Sequence, residues 1–417
     1  MAINKIVVIG GGPAGLTVAG ILAGKNYEVV LLERNAKPAR KLMITGKGRC
    51  NLTNFCDIDT LINSIVTNGR FLYSAFSKFM PKDTIDFFEH LGVKTKVERG
   101  NRVFPVSDKA ADVVDALVNF ALKNGVKIIT DRAVEFKMKK DKINKIICQS
   151  GNELDSDAVL IATGGKSYPA TGSTGDGYSL AKIVGHHIIA PSPSLVPLTI
   201  KEGYAARMQG VSLKNISIRI EETESQKIIY KDFGELLFTH FGVSGPVILS
   251  ASAHLQNMSS EKYKIFIDMK PAIDLKTLDN RLIRVFAENS CKDFINSIDC
   301  LMPKKMVPVI ADLSKISPRA KCNQITKKER LFLAELLKNI PFTVTGFRPI
   351  EEAIITAGGI DVSEVEPKTM NSKLCDNLYF AGEVLDVDAY TGGFNLQIAF
   401  STAVAAANAI SDRREKL

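Results

Sequence analysis

The chain has 417 residues, of which 45% are hydrophobic and 24% charged, a composition that suits a globular protein of two or three domains and excludes collagen, coiled coils and disorder. Its formal charge of +9 and pI near 9.0 raise nucleic acid or an acidic membrane as partners. The basic residues are spread along the sequence, however, and the runs at 137–142, 304–305 and 327–328 contain no aromatic residue, so we expect neither partner.

The chain begins with a strand, a turn, a helix and a second strand. Lys5–Ile9 is an apolar, β-branched run that predicts a strand, and Gly10–Gly15 predicts the turn after it. Small residues from Ala14 to Ala23 predict a helix, and Glu28–Leu32 predicts the second strand.

The same kind of pattern continues to residue 165. Residues 110–129 predict another helix and strand, and residues 133–147 with 153–157 predict a small antiparallel excursion. Ala158–Ala162 is a fully apolar run that predicts a strand, and Thr163-Gly164-Gly165 follows it.

A second pattern begins near Pro191. Pro191–Ser194 predicts a linker, and residues 211–221 and 226–232 alternate like half-buried strands. Residues 275–338 change to helical periodicity, and residues 340–347 return to strand character.

The first pattern resumes from Ala357. Asn377–Ala381 predicts a strand followed by Gly382, and Asn395–Ile410 predicts a helix rich in small residues. One domain is therefore interrupted by an insert of a size typical of a domain.

The glycine-rich turn Gly10-Gly11-Gly12-Pro13-Ala14-Gly15 follows a strand and opens a helix, which is the setting that binds dinucleotides. Gly10 permits the tight turn, Gly12 lets the backbone approach the pyrophosphate, and Gly15 allows close packing of helix on strand. Glu33 closes the second strand, where a carboxylate accepts hydrogen bonds from the ribose and repels a 2′-phosphate.

FAD and NAD share this signature, so other residues must distinguish them. Ala162-Thr163-Gly164-Gly165 and Tyr379-Phe380-Ala381-Gly382-Glu383 each end a predicted strand, at the sheet edge where ligands bind. Together they resemble the two-strand signature of FAD flavoproteins, in which the late acid lies at the ribityl chain. In Gly392-Gly393-Phe394-Asn395-Leu396-Gln397, the glycines would let the backbone approach the flavin, and the helix start would favour an anionic reduced ring.

The loop 45–54 combines glycines, cations and amides, which suits phosphate contact or a wall facing the flavin. Arg49 beside Cys50 would lower the pKa of a reactive thiol. A small buried side chain is the other interpretation of Cys50, and we favour it.

A specific resemblance rests on residues 46–54, Arg102–Pro105 with Ser107, 164–177, Leu237–His240 with 242–246, and the run from Ala381 to Gln397. These motifs resemble a conserved bacterial FAD flavoprotein family that includes aminoacetone oxidase-like and bile-acid 3-dehydro-Δ4,6-reductase-like proteins. The resemblance spans essentially the whole chain and implies an FAD-dependent oxidoreductase, while leaving its substrate open.

We therefore predict an α/β fold with a Rossmann-like FAD-binding domain interrupted by a β-rich insert domain and a small helical domain. The boundaries are 1–190 and 351–417 for the FAD-binding domain, 191–270 and 339–350 for the β-rich insert, and 271–338 for the helical subdomain. The residues expected at the noncovalent FAD are Gly10, Gly12, Pro13, Ala14, Gly15, Glu33, Arg34, Lys41, Gly48, Arg49, Cys50, Asn51, Ala133, Val134, Thr163, Gly164, Gly382, Glu383, Gly393, Asn395, Leu396 and Gln397.

Candidates for the substrate side are fewer. His240 has a near-neutral reference pKa and is the candidate proton donor, with a structural histidine as its alternative. Tyr168 and Arg102 are alternative candidates for substrate contact or catalysis, and His186-His187 is interpreted as a pair of cations ending a helix.

The remaining sequence features concern the state of the cysteines, metal binding and cellular location. Seven scattered cysteines without a CxxC pair predict reduced thiols and no metal site. No stretch has the length and apolarity of a signal peptide core or a membrane span, so we expect a cytoplasmic protein.

Three hypotheses about function follow. The first is an FAD-dependent oxidoreductase that moves hydride between flavin N5 and a small organic substrate, either as an oxidase or dehydrogenase or as an NAD(P)H-dependent reductase. Without a permanent second dinucleotide domain, NAD(P)H would in the latter case be a transient reductant. The second is a flavin-dependent RNA-modifying or nucleic-acid-binding protein, and the third is a flavin-binding protein without turnover.

Overall fold

The chain divides into two units, which we describe in turn from a computed structural model that describes residues 4–415. The first unit contains the residues up to Ser194 and those from Ile350 onward, and the second runs from Leu195 to Pro349. The first three and last two residues of the chain, which belong to the predicted FAD-binding domain, lie outside the described residues.

A five-stranded parallel sheet forms the centre of the first unit. Its central strands are buried and β-branched, as expected where both faces of a sheet are covered. Across the sheet the strands are Leu378–Phe380, Ala158–Ile161, Lys5–Ile9, Glu28–Glu33 and Lys127–Thr130. All neighbours are parallel, so the carboxyl ends of strands from both ends of the chain meet at one edge.

Helices built from small residues pack closely around this sheet. In the first helix, Pro13–Gly24, a Cβ at Gly20 would lie only 2.3 Å from the ring of Phe120, so a larger residue would push the helices apart. Phe120 belongs to the helix Ala110–Lys123. The other helices of the unit are Arg40–Ile44, Ile58–Asn63, Tyr73–Lys78, Pro81–His90, Asp176–Ile183 and Phe394–Glu415.

The remaining strands of the first unit form small antiparallel sheets. They are Ala133–Lys139, Lys142–Cys148 and Glu153–Asp155; Thr53–Asn54, Arg102–Pro105 and Thr95–Glu98; Ile65–Thr67 with Asp388–Ala389; and Ile188–Ser194 with Ile355–Ile360. The last pair shows that the prediction of a linker at Pro191–Ser194 is wrong. The strand has a partner on one side only and its register is interrupted, so prolines that lack an N–H group are tolerated in it.

A closed antiparallel barrel forms the centre of the second unit. Around the barrel its strands are Leu198–Ile200, Gly242–Ser244, Ile228–Phe238, Ser212–Glu222, Tyr263–Asp268 and Ile340–Phe347. Buried Ile216, Ile218 and Ile220 alternate with more exposed neighbours, so one face of the strand fills the interior. Closure also removes the sheet edges that would otherwise invite aggregation.

The helices of the second unit are Tyr204–Arg207, Pro246–Ser252, Leu275–Glu288, Val307–Ser314 and Lys327–Lys338. Leu278, Leu282 and Phe286 form a buried stripe at helical spacing. The last helix starts with a capping box, in which Thr326 and Glu329 satisfy each other's backbone N–H groups. The predicted fold class, Rossmann-like with a β-rich insert and helices, is confirmed.

Within residues 4–415, no helix is both long enough and apolar enough to cross a lipid bilayer.

His186 occupies a buried position in the first unit, so its interpretation as half of a cation pair is wrong. Its Nε2 lies 2.7 Å from Ser372 Oγ, its Nδ1 lies 3.1 Å from Glu364, and its ring meets the Phe380 ring edge-on. Burial lowers the pKa of His186, although Glu364 opposes this. The imidazole is therefore neutral in the folded protein, whereas its neighbour His187 is exposed.

We expect this histidine to make stability depend on pH. Because the folded pKa lies below the unfolded value, the unfolded chain binds a proton first, and stability declines as the pH falls through about 6.5. Urea unfolding followed by circular dichroism should give a lower free energy of unfolding at about pH 5.5 than at about pH 7.5. His186→Gln should flatten this dependence and His187→Gln should preserve it; an equal response of both variants would contradict the assignment.

Candidate dinucleotide site

A cleft of about 1250 Å³ opens at the carboxyl edge of the parallel sheet. Its walls come from both ends of the first unit's sequence. The lining residues are 9–14, 32–35, 39–42, 45, 131–133, 162–164, 171–173, 176, 354–355, 381–383, 395–396 and 399.

Gly10, Gly12 and Gly15 of the first turn are glycines for different structural reasons. Gly10 has a φ of 104°, and a Cβ there would lie 2.5 Å from the carbonyl oxygen of Ala162. A Cβ at Gly15 would lie 1.9 Å from the carbonyl oxygen of Gly10. At Gly12 the closest atom to an added Cβ would be the Ala162 oxygen, at 3.9 Å. Gly10 and Gly15 are therefore required by the fold, whereas the space beside Gly12 belongs to the cleft.

The start of the first helix points N–H groups toward the cleft. Pro13 occupies the first position, where no N–H group is needed, and the helical hydrogen bonds begin with Leu16 N–H donating to Gly12 O at 2.9 Å. The N–H groups of Ala14 and Gly15 precede this bond. Together with the positive end of the helix dipole, they form a site for an anion.

Glu33 is fixed at the other side of the turn. Its Oε2 accepts a hydrogen bond from Gly11 N–H at 2.8 Å, and its Oε1 accepts bonds from the backbone N–H and side-chain Nδ2 of Asn35, both at 2.8 Å. The side chain is 7% exposed and lines the cleft. A carboxylate held in this way presents fixed acceptor oxygens to a ligand hydroxyl.

A half-buried ion pair lies farther along the cleft. Lys41 Nζ donates to both oxygens of Glu383, at 2.9 and 2.8 Å, and to Ser167 Oγ at 2.6 Å. Glu383 Oε1 also accepts a hydrogen bond from Thr356 N–H at 3.0 Å. Oε2 accepts only the Lys41 bond among the described residues, so it retains capacity for another donor.

Charged side chains close the end of the cleft near Glu33. Arg132 binds Asp176 through two hydrogen bonds of 2.8 Å, and Arg34 donates to the same carboxylate at 3.2 Å. Asp176 is the first residue of its helix, where a carboxylate also complements the helix dipole.

Fourteen of the predicted cofactor residues line the cleft. They are Gly10, Gly12, Pro13, Ala14, Glu33, Arg34, Lys41, Ala133, Thr163, Gly164, Gly382, Glu383, Asn395 and Leu396. Gly15, Gly48, Arg49, Cys50, Asn51, Val134, Gly393 and Gln397 are not among its lining residues.

Gln397 and Gly393 have internal roles instead. Gln397 is fully buried: its oxygen accepts hydrogen bonds from Thr53 and Thr84, and its nitrogen donates to Phe79 O and Ser401 Oγ. These four bonds use the whole capacity of the amide. At Gly393, which has a φ of 101°, a Cβ would lie 2.3 Å from the backbone of Thr53.

The side chains of Arg49 and Cys50 are also engaged elsewhere. Arg49 pairs with Glu98 and Asp108 and stacks on Phe104. Cys50 is fully buried, and burial raises the pKa of its thiol to about 12. The reactive-thiol interpretation is therefore wrong, and the buried-filler interpretation describes Cys50 correctly.

The three candidates for the substrate side do not line the cleft. Arg102 is exposed and donates to Arg99 O at 3.0 Å, and half-buried Tyr168 has a φ of 51°. His240 is an exposed residue of the second unit, where it follows the strand Ile228–Phe238 and its ring meets Phe241 edge-on at 5.0 Å. Their catalytic roles stay predictions.

Several lining residues were not among the individual FAD contacts predicted from the sequence, although Gly11, Thr45 and Ala381 belong to the motifs that predicted the site. They include Gly11, Asn35, Ala39, Arg40, Leu42, Thr45, Asp131, Arg132, Thr171, Gly172, Ser173, Asp176, Ile354, Ile355, Ala381 and Ala399. Asn35 follows Glu33 by two positions, so it could have been inferred as the partner of that carboxylate. Ile354 and Ile355 carry no comparable signal, because an apolar pair looks the same in a core and in a ligand wall.

The fold and the cleft define the general class, a Rossmann-type protein of the flavoprotein kind. The chain belongs to the HI0933-like family, whose Rossmann-domain model matches residues 4–409. This confirms the predicted family and implies FAD as the cofactor, and the similarity to a curated reductase over nearly the whole chain confirms the predicted class of enzyme, an oxidoreductase.

Two curated relatives match nearly the whole chain. A 3-dehydro-bile acid Δ(4,6)-reductase of Clostridium scindens is 30% identical to this chain, and the match covers 98% of this chain and the whole length of the relative. A ribosomal RNA dihydrouridine synthase of Escherichia coli is 29% identical, with 96% of both chains covered. Among solved structures, a flavocytochrome c3 fumarate reductase has a TM-score of 0.53 at 13% identity, with 99% of this chain and 78% of that chain covered, which shows a shared fold.

The geometry at Gly12 gives a sharp test of the site. Gly12→Val should fold normally, because the added side chain enters open space, but it should reduce FAD affinity by at least about 100-fold by blocking the approach of the pyrophosphate. Flavin absorbance after reconstitution measures the binding, and the thermal melting curve of the apoprotein verifies the fold.

Gly203→Val is the matched control, because Gly203 has a φ of −61° and no atom within 4 Å of an added Cβ. It should retain the full complement of flavin. Undiminished FAD binding by a folded Gly12→Val protein would refute the site.

Proposed function

We propose that this protein is an FAD-dependent reductase of carbon–carbon double bonds that are conjugated to a carbonyl group. The observation that supports the cofactor is the cleft itself, which combines an open Gly12 side, free N–H groups at a helix start and a fixed Glu33 carboxylate. These features meet the needs of the pyrophosphate and the ribose of a dinucleotide. FAD, when bound, supplies hydride transfer through its ring.

The residues of the cleft then have separate tasks. The N–H groups of Ala14 and Gly15 would bind the pyrophosphate, and Glu33 would accept hydrogen bonds from the ribose hydroxyls. Glu383 is oriented by Lys41 and would accept a hydrogen bond from a ribityl hydroxyl at its less occupied oxygen, Oε2. All these contacts are noncovalent.

The names of the two full-length relatives support the type of reaction. A Δ(4,6)-reductase of a 3-dehydro bile acid saturates double bonds conjugated to the 3-oxo group, and a dihydrouridine synthase saturates the double bond beside a uracil carbonyl. Both reactions add a hydride to one carbon and a proton to the other. The common chemistry favours the same step here, with NAD(P)H as the source of the hydride.

The sheet topology also agrees with NAD(P)H acting as a transient reductant. Within residues 4–415 there is one parallel sheet, so a second Rossmann unit for NAD(P)H is absent from the described part of the chain. NAD(P)H and the substrate would then react with the same flavin in turn.

RNA is the second candidate substrate, because the charge is unevenly divided between the units. The unit Leu195–Pro349 contains 23 Lys and Arg against 16 Asp and Glu, which gives +7 of the total +9. The surplus comes from the basic residues, because this unit has 23 of them in 155 residues and the rest of the chain has 31 in 262, while acidic residues are about equally frequent in both. A small uncharged substrate does not need such a field, whereas a polyanion does.

Anaerobic stopped-flow absorbance tests the reaction. NADPH or NADH should reduce the bound flavin, and a substrate with a conjugated enone, either a 3-oxo-Δ4 steroid or a uridine-containing RNA, should then oxidise it. The matched control is the saturated counterpart, a 3-oxo steroid or an RNA containing dihydrouridine, which should leave the flavin reduced. If oxygen oxidises the reduced flavin and none of these enones does, the proposed reductase activity is excluded.

His240 gives a second test, since a proton must accompany the hydride. His240→Gln should slow the oxidation of reduced flavin by substrate by about 100-fold or more, as for loss of a general acid, and leave reduction by NADPH unchanged. His187→Gln, a change at an exposed histidine of the other unit, should affect neither rate. Unchanged substrate oxidation in His240→Gln would eliminate His240 as the proton donor.

A further inference from the structure

Two segments of the second unit, residues 290–295 and 315–328, form a feature that we call the basic ribbon. Backbone hydrogen bonds join them side by side: Phe294 N–H donates to Ala320 O at 2.8 Å, and Cys322 N–H donates to Lys292 O at 3.1 Å. Asp293 and Lys321 face each other as an antiparallel bridge. Residues 290–295 and 318–323 are therefore held side by side, and residues 315–317 and 324–328 flank this pair in sequence.

The ribbon has a strongly positive surface. It contains six cations and one acid, Asp293, and all six cations are exposed. The cations are Lys292, Lys315, Arg319, Lys321, Lys327 and Lys328. Lys321 pairs with Asp293 at 2.7 Å, and the other five form no ion pair with any residue in the range 4–415.

This arrangement is unfavourable for the protein by itself. Five unneutralised cations repel one another, and Lys327 and Lys328 stand in the first turn of the helix Lys327–Lys338, at the positive end of its dipole, where the capping-box carboxylate of Glu329 is the one acidic group of that turn. Phosphate groups bound along the ribbon would offset both effects. No aromatic side chain other than Phe294 lies in these segments, and Phe294 is fully buried, so the ribbon offers charge and no stacking surface.

We propose that the basic ribbon binds the phosphate backbone of an RNA substrate, independently of its base sequence. This inference rests on the proposed function with RNA as the substrate. Lysine and arginine side chains make the phosphate contacts that position a nucleic acid without reading its bases, and these contacts do not require the aromatic residues whose absence led us to expect no nucleic-acid partner from the sequence.

The test measures binding of a fluorescently labelled RNA stem–loop to the FAD-loaded protein by anisotropy at rising KCl concentrations. A variant with Arg319→Glu, Lys327→Glu and Lys328→Glu should bind at least about tenfold more weakly. Its plot of log affinity against log salt should be shallower by about 2 to 3, because each lost phosphate contact removes about 0.9 from the slope. Lys321 is left unchanged to preserve its pair with Asp293.

The matched control reverses the same number of charges in the first unit. Lys139, Lys140 and Lys142 are exposed and lie at the turn of the hairpin Ala133–Cys148, without ion pairs to other described residues. Their change to Glu lowers the net charge equally but should leave the RNA affinity within about twofold of the parent protein. Equal losses of RNA affinity in both variants would show that only the overall charge matters and would contradict the ribbon proposal.

Two further arms separate the possible failures. Vesicles containing phosphatidylserine test a lipid surface, and ribbon-dependent binding to vesicles but not to RNA overturns the proposal. Flavin oxidation by a free 3-oxo-Δ4 steroid and by the RNA is measured in the same variants. If no enone oxidises the reduced flavin of the parent protein, the proposed reductase activity is wrong. If the ribbon variant binds RNA as tightly as the parent protein does, only the ribbon proposal is wrong.

Discussion

The close contact between the first helix and the first strand determines the rest of the first unit. Gly15 lies so near the Gly10 carbonyl that a Cβ would approach it to 1.9 Å, so no side chain fits between them. This contact turns the start of the helix toward the carboxyl edge of the sheet, where its unused N–H groups can meet an anion. The same edge receives Leu378–Phe380 through parallel pairing with Ala158–Ile161. A cleft built from residues near both ends of the chain follows from this geometry.

Fixed charges give the cleft its chemical character. Glu33 is held by three N–H donors, and Glu383 is held by Lys41 and Thr356. Carboxylates that are already oriented lose little freedom when a ligand hydroxyl arrives, so they favour one placement of the ligand. The Lys41–Glu383 pair is half-buried rather than fully enclosed, which avoids the full desolvation cost of a buried ion pair. The cleft is therefore prepared for a polar, extended ligand before that ligand binds.

Local sequence patterns predicted much of this structure because their physical causes are local. The glycine turn, Glu33 and the strands of the parallel sheet follow from residue size, spacing and β-branching, and each is found where it was expected. The errors occur where a distant partner decides. Pro191–Ser194 becomes a strand because Ile355–Ile360 pairs with it. Gln397 turns away from the cleft because Thr53 and Thr84 satisfy its amide, and His186 stays neutral because its surroundings exclude water.

By itself, the sequence determined the class of fold, the dinucleotide turn and the total charge, since these depend on neighbouring residues or on simple counts. Tertiary structure alone decided which polar side chains face the cleft, as the contrast between Glu383 and Gln397 shows, because the direction of a side chain depends on packing partners far along the chain. Tertiary structure also decided where the surplus of positive charge is concentrated. The division into two units assigns most of the surplus to the insert, and backbone pairing between residues 290–295 and 318–323 places the segments that carry Lys292, Arg319 and Lys321 side by side.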